Sequence, residues 1–143
     1  MIYVTRKVHF NAAHKLWNPA WSQEKNTEIF GACSNENWHG HNYVLEVTVA
    51  GNPDPDTGYV MDLKLLRDIL EEKVLHKVDH KNLNLDVDFM KGIIASSENF
   101  AVRIWEQIEK DINNHHRKLY AVKLFETERN FVEYKGEVFH ASN

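Results

Sequence analysis

Apolar and polar positions alternate over most of residues 2–14. Val4, Arg6, Val8, Phe10, Ala12 and His14 share one parity, while Tyr3, Thr5, Lys7, His9, Asn11 and Ala13 share the other. That period of two predicts a strand with one buried face. Residues 39–50 repeat the pattern, with Tyr43, Leu45, Val47 and Val49 set against Asn42, Val44, Glu46 and Thr48. Between them, residues 15–38 carry no period, and turn residues around Asn18-Pro19 and Gly31 to Asn35 predict a long irregular loop. A cluster of Gly, Pro, Asn and Asp over residues 51–58 predicts a turn. The period then changes. Asp62 can cap a helix reaching about Val78, with Leu63, Leu66, Leu70, Val74 and Val78 on one stripe. Ser96 or Ser97 can cap a second helix reaching about Asn114, with Glu98 in its first turn and Ala101, Ile104, Trp105, Ile108 and Ile112 facing inward. Residues 118–127 alternate again, with Tyr120, Val122, Leu124 and Glu126 on one side, and residues 131–134 form the return strand of a hairpin.

The order ββααββ predicts an α+β fold: a four-stranded antiparallel sheet with two helices on one face. Two edges of such a sheet stay open, and open edges invite pairing with other subunits. A chain of 143 residues without a linker predicts a single domain, 1–143. The net charge of −4 gives no broad attraction to nucleic acid or to an anionic membrane. No apolar run approaches a membrane span, and residues 1–7 lack the order of a signal peptide. A single cysteine cannot form an intrachain disulfide. The expected location is therefore the reducing cytoplasm.

Nine histidines make a metal site worth seeking. His39 and His41 stand at i and i+2 where the second strand starts, so an extended chain points both imidazoles to one face. His14 ends the face that carries Val8 and Phe10, on a strand able to pair with the second. Three neutral imidazoles make an open zinc site that keeps its full positive charge and polarises a substrate oxygen. Cys33 is open to four readings: fourth ligand, nucleophile, general base or buried hydrophobe. Asp79-His80 offers an adjacent acid and imidazole able to tune a base. Glu126 ends an otherwise apolar face, either as a solvated strand end or as an anchor for a cationic or amide-rich ligand.

These residues fall in seven ordered motifs: Phe10-Asn11-Ala12-Ala13-His14, Phe30-Gly31-Ala32-Cys33, His39-Gly40-His41-Asn42-Tyr43, residues 58–63, residues 75–83, Ser97-Glu98-Asn99 and Phe125-Glu126-Thr127. Together, from about Lys7 to Glu137, the chain resembles the 6-pyruvoyl tetrahydropterin synthases. The resemblance implies Zn2+ on His14, His39 and His41. It implies Cys33 as the proton-abstracting base, assisted by Asp79 and His80. Glu126 would anchor a pterin by its amino-pyrimidine edge, with Glu98, Ser96 and Ser97 near the pocket. The implied substrate is 7,8-dihydroneopterin triphosphate, and the implied products are 6-pyruvoyl-tetrahydropterin and triphosphate. The implied assembly is a T-fold homohexamer, a dimer of trimers, each trimer closing a twelve-stranded barrel with active sites between subunits.

Internal reduction of the pterin ring needs no nicotinamide, consistent with the missing Gly-rich dinucleotide fingerprint. Lys7 and Lys15 are candidates for the triphosphate. Two departures from the family pattern stand out: Ser96 and Ser97 occupy positions often held by threonine, and Trp38 stands where glycine is common. The nearest rival reading is a 6-carboxytetrahydropterin synthase, whose cysteine usually lies closer to the histidine pair. The other rival is a non-catalytic pterin- or zinc-binding protein on the same scaffold.

Overall fold

The computed structural model describes residues 1–142. Strand β1 (Ile2–His14) pairs antiparallel with β2 (His39–Gly51) along its whole length, from Ile2 opposite Gly51 to His14 opposite His39. Strand β2 also pairs with β4 (Arg117–Phe125), and β4 with β5 (Phe131–Tyr134). Helices α2 (Leu63–Leu70) and α4 (Ser97–Ile112) pack on one face of this sheet and against each other. The alternation explains the arrangement. Phe10, Tyr43, Leu45 and Leu124 turn to that face and meet Leu66, Phe100 and Ile104 in one buried core. Each of the leucines, the isoleucine and the phenylalanines contributes about 1.5–3 kcal/mol by leaving water.

The sheet has five strands, not the expected four. The extra one, β3 (Lys81–Asn82), runs parallel to β1 at Ala12 and Ala13, giving the order β3-β1-β2-β4-β5. His80 takes a left-handed backbone (φ 59°) and donates its N–H to the Asn11 carbonyl at 2.6 Å, turning the chain back onto β1. Leu83 N–H then bonds the Ala13 carbonyl. Two residues are too few to produce a readable hydrophobic pattern.

Three further expectations are corrected. The stretch 15–38 is not wholly irregular: it contains α1 (Gln23–Phe30), capped by the Ser22 hydroxyl, and a 3-10 turn over Gly31–Ser34. Helix α1 buries no apolar stripe. Its one buried residue is Asn26, whose amide accepts from Asn18 N–H (2.7 Å) and donates to the carbonyls of Asn18 and Ser22 (3.0 Å each). The helix expected over 62–78 is interrupted by a wide π turn, Glu71–Leu75, before α3 (His76–Val78). Val74 and Leu75 within the wide turn are both buried against the core. Finally, a bulge between Thr48 and Val49 pairs Thr48 with Ala121 but Val49 with Leu119. Tyr120 is thereby skipped, and its ring packs on Tyr3 at 4.6 Å instead of joining Val122 and Leu124 in the core.

Candidate active site

The register of β1 against β2 builds the first part of the site. His14 lies directly opposite His39, and Ala12 opposite His41, so all three imidazoles leave the same face at one end of the sheet. Their ring centroids are 4.6 to 5.0 Å apart and their planes cross at 60° to 89°, so the rings meet edge to face and do not stack. Glu126, one residue beyond β4, joins them. One donor atom from each of His14, His39, His41 and Glu126 lies within 4.8 Å of the others.

The His14 ring is buried and held in one tautomer. Its Nδ1–H donates to the Ala95 carbonyl at 2.7 Å, which leaves the Nε2 lone pair free. Burial pushes the pKa of His14 below the ordinary 6.5, opposed by that hydrogen bond. Burial likewise lowers His41, with the Glu126 carboxylate pulling the other way. Both rings are thus held as neutral imidazoles, the form a metal needs. The Nε2 atoms of His14 and His41 are buried without a hydrogen-bond partner. His41 Nε2 is 2.9 Å from Glu126 Oε1 but without hydrogen-bond alignment. Two orphaned ring nitrogens in a group whose donor atoms lie within 4.8 Å of one another, with a carboxylate beside them, fit a Zn2+ ion.

A cavity of about 290 Å³ opens beside the cluster, lined by His14, Cys33, Ser96, Ser97, Glu98 and Glu126 among others. Cys33 sits in the 3-10 turn just before β2 and is half-buried. Its thiol is outside the metal-competent group, although it shares the cavity with it. The two serines have different partners. Ser96 caps α4, its hydroxyl accepting from Asn99 N–H at 3.2 Å. Ser97 donates its hydroxyl to Glu126 Oε2 at 2.6 Å, holding the carboxylate over the cavity. Glu98 is exposed at the rim.

Asp79 and His80 are not brought to Cys33 within one chain. They lie across the strand ends, where His80 lines a separate cavity of about 530 Å³ with Asn11, Gly40, Asn42 and Lys81. Asp79 Oδ1 accepts from Asn11 N–H at 3.0 Å and stands 2.9 Å from His80 Nδ1. The two lysines weighed for triphosphate are both engaged. Lys7 pairs with Glu46 at 3.2 Å, and the Lys15 ammonium lies over the Trp38 ring at 4.4 Å. The pattern did not foresee Glu126 as a member of the metal-competent group. Glu126 is far from the histidines in sequence, and only the β2–β4 register brings it alongside them.

Comparison with known proteins gives the same picture over nearly the whole chain. Residues 3–137 match the family model for 6-pyruvoyl tetrahydropterin synthase. The chain is similar to a Pongo abelii protein named 6-pyruvoyl tetrahydrobiopterin synthase, 46% identical over 94% of this chain and 91% of that one. A Dictyostelium discoideum protein of the same name is 44% identical over 95% of this chain and 97% of its own. The solved structure of Caenorhabditis elegans 6-pyruvoyl tetrahydropterin synthase superposes with a TM-score of 0.88 at 40% identity, covering 95% of this chain and 96% of that one. With this identity over almost its full length, and with the histidine cluster assembled, the chain belongs to the 6-pyruvoyl tetrahydropterin synthase family.

Proposed function

We propose that the protein converts 7,8-dihydroneopterin triphosphate into 6-pyruvoyl-5,6,7,8-tetrahydropterin with elimination of triphosphate, as a zinc-dependent lyase of tetrahydrobiopterin biosynthesis. The observation that carries this reading is the convergence of His14, His39, His41 and Glu126 in a chain that matches the family over residues 3–137. His14, His39 and His41 would hold Zn2+, which supplies Lewis-acid polarisation of the substrate's side-chain hydroxyls and so acidifies the adjacent C–H bonds. Cys33 takes those protons in turn, from a position inside the same cavity. Glu126 receives the amino-pyrimidine edge of the pterin, with Ser97 fixing one carboxylate oxygen and Glu98 and Ser96 at the wall. The electrons left behind reduce the pterin ring internally, and triphosphate departs.

Asp79 and His80 enter this scheme from a neighbouring subunit. His80 lines a different cavity from Cys33, which supports a site completed by two chains. The assembly is a homohexamer, a dimer of trimers with twelve-stranded barrels. Open sheet edges support it: residues 2–10 of β1 have no strand on their outer side among the described residues. No helix among the described residues is long and apolar enough to cross a membrane, and we place the enzyme in the cytoplasm.

Mass spectrometry of the product made from 7,8-dihydroneopterin triphosphate tests the reading. A pyruvoyl product with free triphosphate is expected. A carboxylate product with acetaldehyde would assign the carboxy-forming reaction instead, and no triphosphate release from zinc-replete protein would leave a binding protein.

A further inference from the structure

We propose that Lys15 is a positioning residue that sets the place of Cys33 relative to the histidine cluster; the inference rests on the reading of Cys33 as the base. Lys15 directly follows His14, the last residue of β1. Both its backbone and its side chain are held. Asn84 brackets its main chain, its Oδ1 accepting from Lys15 N–H at 3.1 Å and its Nδ2 donating to the Lys15 carbonyl at 3.0 Å. Asn84 is itself fixed, because its N–H donates to Asn82 Oδ1 at 2.9 Å in the turn after β3. The Lys15 ammonium lies between two indoles, 4.4 Å from the Trp38 ring and 5.1 Å from the Trp17 ring. The next residue, Leu16, donates its N–H to the Cys33 carbonyl at 2.7 Å. Lys15 therefore stands one peptide from the ligand His14 on one side and, on the other, one peptide from Leu16, which bonds Cys33.

Trp38 explains why the clamp closes on this side chain. It has a left-handed backbone (φ 64°), which is unfavourable for any residue with a Cβ, and it directly precedes the ligand His39. Strain of that kind persists only where surrounding contacts hold it, and the Lys15 ammonium on its ring is one such contact. The clamp thus links the end of β1, the start of β2 and, through Leu16, the Cys33 turn. A base displaced by a fraction of a bond length loses rate without losing substrate affinity.

The test compares Lys15→Met, which keeps the stem and removes the charge, with Lys15→Arg, which keeps a cation for the indoles. Asn84→Asp, which removes the donor to the Lys15 carbonyl while leaving Lys15 in place, serves as a second variant should Lys15→Met fail to fold. Each is measured as the zinc-replete full chain for kcat, KM, zinc content and the rate at which iodoacetamide alkylates Cys33, the chain's one thiol. Lys15→Met should lose on the order of tenfold in kcat with KM within about twofold and zinc content unchanged, and should alkylate several-fold faster. Lys15→Arg should restore both kcat and alkylation rate, and Asn84→Asp should move them in the direction of Lys15→Met. Parental alkylation rates in Lys15→Met and Asn84→Asp would overturn the proposal, as would a fall in kcat that leaves alkylation unchanged. Cys33→Ala separates the two readings. If that variant turns over normally, the base assignment fails, while the alkylation rates still decide whether Lys15 places the thiol.

Discussion

A single atom decides whether His14 can serve a metal. Its Nδ1 proton is committed to the Ala95 carbonyl, so the buried Nε2 has only its lone pair to offer. His41 presents the same orphaned nitrogen from the next strand. His41→Ala is therefore expected to lose bound zinc together with activity, read by metal analysis after gel filtration. Cys33→Ala should keep its zinc and lose about two to four orders of magnitude in kcat, since the thiol lies outside the metal-competent group but within the cavity. Metal lost from Cys33→Ala would make the thiol a ligand. The histidine triad was legible in the sequence because strand parity and an antiparallel pairing suffice to bring the three rings together. The membership of Glu126 in that group was not, because it depends on how β4 is registered against β2 past a bulge.

At the level of elements, α4 begins with two serines whose tasks differ. Ser96 satisfies an orphan N–H of the first turn, whereas Ser97 reaches across to Glu126. Ser96→Ala should cost about 1 kcal/mol in denaturant unfolding with KM little changed. Ser97→Ala leaves the cap intact and should show the reverse, a raised KM at near-parental stability, since the Glu126 carboxylate loses the group that orients it. The turn after β2 carries its own titration. Backbone N–H groups of Asp56 and then Thr57 donate to the Asp54 carboxylate and hold its pKa below the ordinary 3.8. The ionised form is favoured by folding, so this stabilisation is complete above the unfolded-state value and disappears as pH falls through the folded one. The unfolding midpoint of Asp54→Asn should lie below that of the parent at pH 6 and converge on it as the pH falls below the ordinary 3.8. Long periodic elements such as β1, β2 and α4 could be read directly. Helix α1 could not, because what it buries is an asparagine and not a stripe of leucines. Tyr120 was misplaced for a related reason: one skipped residue in a ladder inverts every parity beyond it.

The whole molecule has sheet edges to conceal. Strand β1 shows an outer edge over residues 2–10, and Ile2 and Tyr3 on it are exposed apolar residues. Closing such edges by symmetric association is the economical solution. Light scattering should therefore give a particle of about six times the 16.8 kDa chain mass, and a monomer in solution would contradict the proposed assembly.

The two cavities on either side of the strand ends carry one more consequence. Cys33 opens into one and His80 into the other, and in the proposed assembly each site would take these two residues from different subunits. Two dead proteins should then rescue each other. When Cys33→Ala and His80→Ala chains are unfolded together in equal amounts and reassembled, random mixing leaves roughly a quarter of the sites with an intact residue from each side. Activity should return in the mixture to about that fraction of the parental value and remain absent when either variant is reassembled alone.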